Sequence, residues 1–169
     1  MSDPLDLAQT DLERAVLTAV ATTGEPFDVI EIDPELADTA DFCARYDYPL
    51  DTSGNCIVVA SKDDPPTLAA CVALATTKLD VNKRVRKLLG VRKLSFAPAE
   101  LTQATTGMAI GGVTPFGLPA ELPLYLDARI ESLDRVIVGG GSRRLKLLVA
   151  PSALAAVGGE FVTDLAVPL

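Results

Sequence analysis

Thr106-Gly-Met-Ala-Ile-Gly-Gly-Val-Thr-Pro-Phe-Gly-Leu118, then Leu122-Pro-Leu-Tyr-Leu-Asp127, then Val138-Gly-Gly-Gly-Ser-Arg143, is the stretch whose reading decides this chain. Six of the 12 glycines lie between Gly107 and Gly140, and Gly141 follows directly. Glycine at this density marks backbone that turns sharply or approaches another group closely. Leu124–Asp127, Arg135–Val138 and Leu145–Val149 read as strands between those turns. Gly139-Gly-Gly-Ser-Arg-Arg-Leu-Lys146 follows an apolar strand, but it is neither GxxxxGK[ST] nor GxGxxG, and a strand rather than a helix comes next. Two readings stay open: a turn whose amides bind an anion or carbonyl, or a tight β-turn with a bulge. Gly111-Gly-Val-Thr-Pro-Phe-Gly117 divides the same way, between amides facing a ligand beside the Thr114 hydroxyl and a structural loop.

Working outward, apolar spacing predicts a helix over Asp6–Thr22 stopped by Gly24, a strand over Phe27–Ile32 and a helical stretch from Pro34 to Tyr46. Asp47–Gly54 is turn chemistry. Cys56–Ala60 and Leu68–Ala75 are apolar runs of strand length, joined by Lys62-Asp-Asp-Pro-Pro66 as a hairpin loop. Asp80 reads as the N-cap of a helix over Val81–Leu89, closed by Gly90 in the left-handed region. Short helices over Pro98–Thr105 and Pro151–Val157 and a strand over Phe161–Leu165 complete the order. No repeat or linker interrupts it. The reading is one α/β domain with a mixed, strand-rich core, divided into an N-terminal helix (1–26) and a globular unit (27–169).

The chain has 169 residues, 49% of them apolar and 22% charged, with a mean hydropathy of +0.30. That suffices for a core without disulfide or metal staples, and excludes intrinsic disorder. There is no histidine, which removes Ser-His-Asp and Cys-His catalysis and imidazole metal sites. The net charge of −8 is unevenly spread. Residues 1–70 hold 15 acids against 3 bases, and residues 71–169 hold 8 against 12. Ten of the 15 bases fall in two runs, Lys78–Lys93 and Arg143–Lys146. A local basic face on an acidic protein fits a defined polyanion, or is a solvated helix face. Cys43, Cys56 and Cys71 match no metal knuckle or disulfide framework, so a reducing cytoplasmic setting is expected. The acidic start, MSDPLDLAQTDLER, lacks the charged and apolar regions of a signal peptide, so none is expected, and no apolar run reaches membrane length. Membrane partners are not expected.

The three glycine-bearing stretches, together with Leu79-Asp-Val-Asn-Lys-Arg-Val-Arg-Lys-Leu-Leu-Gly90 and Arg92-Lys-Leu-Ser-Phe-Ala97, resemble the YbaK/EbsC family of aminoacyl-tRNA editing domains. The resemblance runs over roughly Phe27–Leu165, and its most specific part is the TG…GG[VI][ST]P[FL]G string. It implies an α+β domain with a mixed, barrel-like sheet flanked by helices. The implied activity is hydrolysis, in trans, of the ester joining a small wrong amino acid to a tRNA(Pro)-type 3′ end. Neither metal nor organic cofactor is implied. Mischarged tRNA is the implied partner, with an aminoacyl-tRNA synthetase as a further one. The same pocket, catalytically silent, would instead be a module binding an aminoacyl or nucleotide ligand or a protein.

The resemblance also assigns residues. The family commonly has a lysine just before the first core strand, and Asn55 matches that position; a common aspartate after the glycine turn is matched by Lys146. The expected catalytic set is therefore Lys146, Asn55 and Gly111, with the cation moved to Lys146. Gly112, Thr114, Phe116, Gly139, Gly140, Gly141 and Ser142 are expected to line the substrate pocket. Lys83, Arg84, Arg86 and Lys87 are expected to take tRNA phosphates.

Overall fold

The run Leu68–Leu74 is apolar at every position because, as strand β3, it is covered on both faces. Ala70, Val72 and Leu74 enter the main core, while Ala69, Cys71 and Ala73 enter a second one. A strand buried on both sides cannot show polar alternation. In the computed structural model, which describes residues 3–169, β3 pairs antiparallel with β2 (Gly54–Ser61) along its whole length. These two strands are the centre of a five-stranded sheet of order β5-β2-β3-β6-β9. Its other members are β5 (Leu94–Phe96), β6 (Leu124–Asp127) and β9 (Glu160–Val162). The β3–β6 and β6–β9 pairs are parallel, so the sheet is mixed.

A second sheet of order β1-β8-β7 is antiparallel, built from β1 (Phe27–Glu31), β7 (Val136–Gly139) and β8 (Leu145–Val149). A bridge between Ser53 and Ile137 brings it beside the start of β2. The sheets thus share the main core without closing into a barrel among the described residues, the mixed α+β domain expected from the sequence. Helix α1 (Asp11–Thr22) places Val16, Leu17 and Val20 wholly within that core. The expected 1–26 segment contains this helix, and its first two residues lie outside the described ones.

Several boundaries differ from the sequence expectation. The first helix is preceded by a separate 3-10 turn, Pro4–Leu7. Pro34–Tyr46 splits into a 3-10 turn (Pro34–Leu36) and helix α2 (Thr39–Tyr46). Asp80 caps through Lys83 N as expected and Gly90 is left-handed at φ 65°, yet the helix between them is not uniform. Val85 N donates to Asp80 O, five residues back, so Val81–Val85 is a π turn running into α3 (Arg86–Leu89). The expected strand Phe161–Leu165 is interrupted by left-handed Asp164 (φ 60°). Chain before the bend forms β9; chain after it forms β10 (Ala166–Pro168), which pairs with β4 (Thr77–Leu79). Helices α4 (Ala99–Thr106) and α5 (Pro151–Ala156) complete the fold.

Candidate functional site

The two glycine clusters meet each other. A Cβ on Gly112 would lie 2.7–2.9 Å from the backbone of Ser142. Gly141 N donates to Gly112 O at 2.8 Å. Only glycine permits two backbones to come this close. Gly112 N is itself used by Ala109 O, so these amides stitch the loops together.

The loops border a cavity of about 410 Å³. Its walls are β2 from Gly54 to Val58, the Ala37–Thr39 entry to α2, Phe96 at the end of β5 with Ala97 after it, and the Ile110–Gly111 loop with Val113. Gly139 and Thr102 complete it. Of the residues expected at the pocket, Asn55, Gly111 and Gly139 line this cavity; Gly112, Thr114, Phe116, Gly140, Gly141, Ser142 and Lys146 do not. Thr114 and Phe116 are fully buried, Phe116 within the main core. Gly140 and Gly141 pack on Leu145 and Val16.

Ser142 donates to Glu13 Oε2 at 2.5 Å. Glu13 is 1% exposed and also accepts from Gln9 N and from Arg144 Nε and Nη2. Burial alone would raise its carboxyl; hydrogen bonds from Arg144, Ser142 and the Gln9 amide, with the Arg144 charge, outweigh this and hold it below its ordinary value. The glycine turn thereby pins α1 to the domain.

Lys146 is buried, and its ammonium donates to Ala37 O at 2.7 Å and lies 5.4 Å from the Phe42 ring centre. Burial keeps its pKa below the ordinary lysine value, the Arg143 charge acting in the same direction and Cys43 and Asp38 against it. It stands behind the cavity wall. Among the described residues no lysine or arginine lines the cavity, and Asp38 is the one carboxylate that does.

Thr39 and Asn55 bring hydrogen-bonding groups to the cavity wall. The first bond into α2 is Phe42 N to Asp38 O, which leaves the amides of Thr39, Ala40 and Asp41 ahead of it. Asp38 makes no side-chain cap; its carboxylate pairs with Arg143 Nη1 at 3.3 Å instead. Those three amides have no hydrogen-bond partner among the described residues. Thr39 Oγ1 donates to Asn55 Oδ1. This fixes the Asn55 amide and leaves its Nδ2 hydrogens without an acceptor among the described residues. Arg143 spans the site from outside, donating also to Pro34 O and Ile110 O. The sequence reading missed the Ala37–Thr39 turn; the Asp38-Thr39 pair at a helix start was its available signal.

Cys56 lines the cavity as well. Burial, with Cys71 nearby, pushes its thiol pKa strongly upward, so it stays protonated at neutral pH and is a poor nucleophile. Such a cavity can polarise a carbonyl or hold an oxyanion through neutral donors, without thiolate, metal or imidazole.

Of the expected phosphate-binding residues, Lys83 and Lys87 are exposed. Arg84 donates to Thr163 O, and Arg86 to Asn82 O and Val91 O, so both guanidinium groups are partly held by backbone.

Residues 33–157 match the family profile described as "Aminoacyl-tRNA editing domain". EbsC of Enterococcus faecalis, described provisionally as a Cys-tRNA(Pro)/Cys-tRNA(Cys) deacylase, is 29% identical over 106 residues, 62% of each chain. YwhH of Bacillus subtilis, an uncharacterised protein, is 35% identical over 83 residues, 49% of this chain. The matches span 62% and 52% of the length of these relatives. A solved structure described provisionally as a trans-editing enzyme for prolyl-tRNA synthetase superposes at a TM-score of 0.79 with 22% identity, over 96% of this chain and all of the other. Another, the hypothetical protein APE2540, superposes at 0.76 with 23% identity, over 87% and 95% of the two chains. No helix of the described residues is long and apolar enough to cross a membrane. The profile match runs from the turn that opens the cavity to the end of α5, and the chain belongs to the aminoacyl-tRNA editing domain family.

Proposed function

We propose that this protein is a trans-acting deacylase that hydrolyses the ester of a small amino acid mischarged on a tRNA(Pro)-type tRNA. The observation that carries the reading is that the uncapped α2 start and Asn55, joined by the Thr39–Asn55 hydrogen bond, stand side by side on the wall of one cavity of about 410 Å³. Water adds to the ester carbonyl, and the oxygen that becomes negative accepts from the Thr39 amide region and Asn55 Nδ2. Neutral, fixed donors suit this role because they need no reorganisation as charge develops. Asp38 takes the α-ammonium of the aminoacyl group. The ribose oxygen leaves with a proton relayed through the vicinal hydroxyl of the substrate, so no protein general base is required. Lys146, expected to act in the pocket, serves here as a positioning residue that holds the Ala37 carbonyl and hence the α2 entry.

The test is deacylation of a panel of mischarged tRNAs, chiefly alanine or cysteine on tRNA(Pro) and serine on tRNA(Ala), against an enzyme-free blank. Hydrolysis above blank that is lost in Asn55→Ala supports the reading. The absence of lysine and arginine from the cavity wall favours a second reading, a silent module that binds the aminoacyl end. No hydrolysis across the panel with retained tRNA binding would select it.

A further inference from the structure

Phe96 is 54% exposed and is the only exposed aromatic residue among those described. It sits at the end of β5, an edge strand of the five-stranded sheet. A large apolar ring left more than half in water at an edge forgoes the gain of burial. Its position accounts for it. Phe96 belongs to the wall of the 410 Å³ cavity and also to the wall of a neighbouring groove of about 490 Å³. That groove is lined by Lys78, Asn82 and Lys83, with Leu94, Ser95 and Val167. Lys78 and Lys83 are exposed, and neither enters a salt bridge among the described residues. The groove's one carboxylate, Asp80, is engaged in capping Lys83 N.

We propose that the unpaired 3′ end of the RNA leaves the cavity over Phe96 and continues into the Lys78–Lys83 groove, with a base stacked on the Phe96 ring and phosphates beside the two lysines. This rests on the deacylase reading and adds to it the route taken by the strand. Stacking on an aromatic face is the sequence-tolerant way to hold single-stranded nucleic acid, and cationic side chains beside it hold the backbone. The basic feature used is thus Lys78 and Lys83 rather than the whole Lys83–Lys87 face, whose arginines are partly tied to carbonyls.

The probe is an uncharged 12-nucleotide RNA ending in CCA with 2-aminopurine near its 3′ end, titrated with the full chain. Phe96→Ala is expected to weaken binding roughly tenfold and abolish the stacking quench, with Phe96→Trp restoring both. Each of Lys78→Gln and Lys83→Gln should flatten the slope of log K against log salt by about 0.7. Circular dichroism on each variant verifies the fold. Unchanged affinity and quench in Phe96→Ala, or no RNA binding by the unsubstituted protein, would overturn the route. Deacylation of the tRNA panel by unsubstituted protein is scored separately, so loss of the route and loss of the deacylase reading are distinct results.

Discussion

The ammonium of Lys146 donates to the carbonyl of Ala37 across 2.7 Å, in a buried site beside the Phe42 ring. One cation from β8 thus fixes the turn that aims α2 at the cavity, although it does not touch the cavity itself. A buried carbonyl that loses its donor costs about 1–3 kcal/mol.

Lys146→Met keeps the apolar stem over Phe42 and deletes the donor. The expected result is a stability loss of about 1–3 kcal/mol in urea unfolding, with kcat of deacylation reduced and Lys146→Arg partly restoring it. A variant with full kcat would remove the lysine from any functional role.

Asn55→Ala removes the side-chain donor from the cavity while leaving the α2 amides. Loss of one oxyanion donor lowers kcat by about 10²–10³-fold. Single-turnover deacylation measures this, and unchanged kcat would show that Asn55 only braces Thr39. Asn55→Asp should be worse than Ala, since it sets a negative charge against the developing oxyanion.

Glu13 gives a pH signature in stability. Its carboxyl lies below the ordinary value of 4.5 in the folded protein, so folding favours the ionised form. The contribution is fully present above about pH 4.5 and is lost as pH falls below it toward the depressed folded value. Glu13→Gln should therefore be less stable than the unsubstituted protein near pH 7 and lose this step in its acid profile. Thermal melts from pH 7 to pH 3 would check it; superimposable profiles would contradict the Glu13–Arg144–Ser142 account.

Gly112→Ala places a methyl group against Ser142 backbone, which cannot rotate away. The cost is about 1–3 kcal/mol, and the displaced Gly111 loop should reduce deacylation as well. Gly107 is the control: its φ of +76° strains an alanine, yet nothing lies within 4 Å of the new Cβ. Gly107→Ala should lower stability by about 1–2 kcal/mol and leave activity unchanged.

Much of the framework was legible because local chemistry specifies it. Leu68–Leu74 shows β3 by its unbroken apolar run, and the Asp80 cap and the Gly90 stop are where side-chain and backbone rules put them. The glycine clusters announced a close backbone approach, and Gly112 against Ser142 is one. What a local reading cannot carry is direction after pairing. Whether Lys146 enters the cavity or stands behind it depends on the register Gly139↔Lys146 and on where Phe42 packs. The exposure of Phe96 follows from a three-residue edge strand too short to show periodicity, and the bend at Asp164 from the partner that β10 finds in β4. Sequence by itself determined the strands, the turns and the lack of imidazole chemistry, since these depend on residue type and near neighbours. Tertiary structure alone decided which donors share the cavity, because Thr39 and Asn55 meet only when α2 is docked on β2.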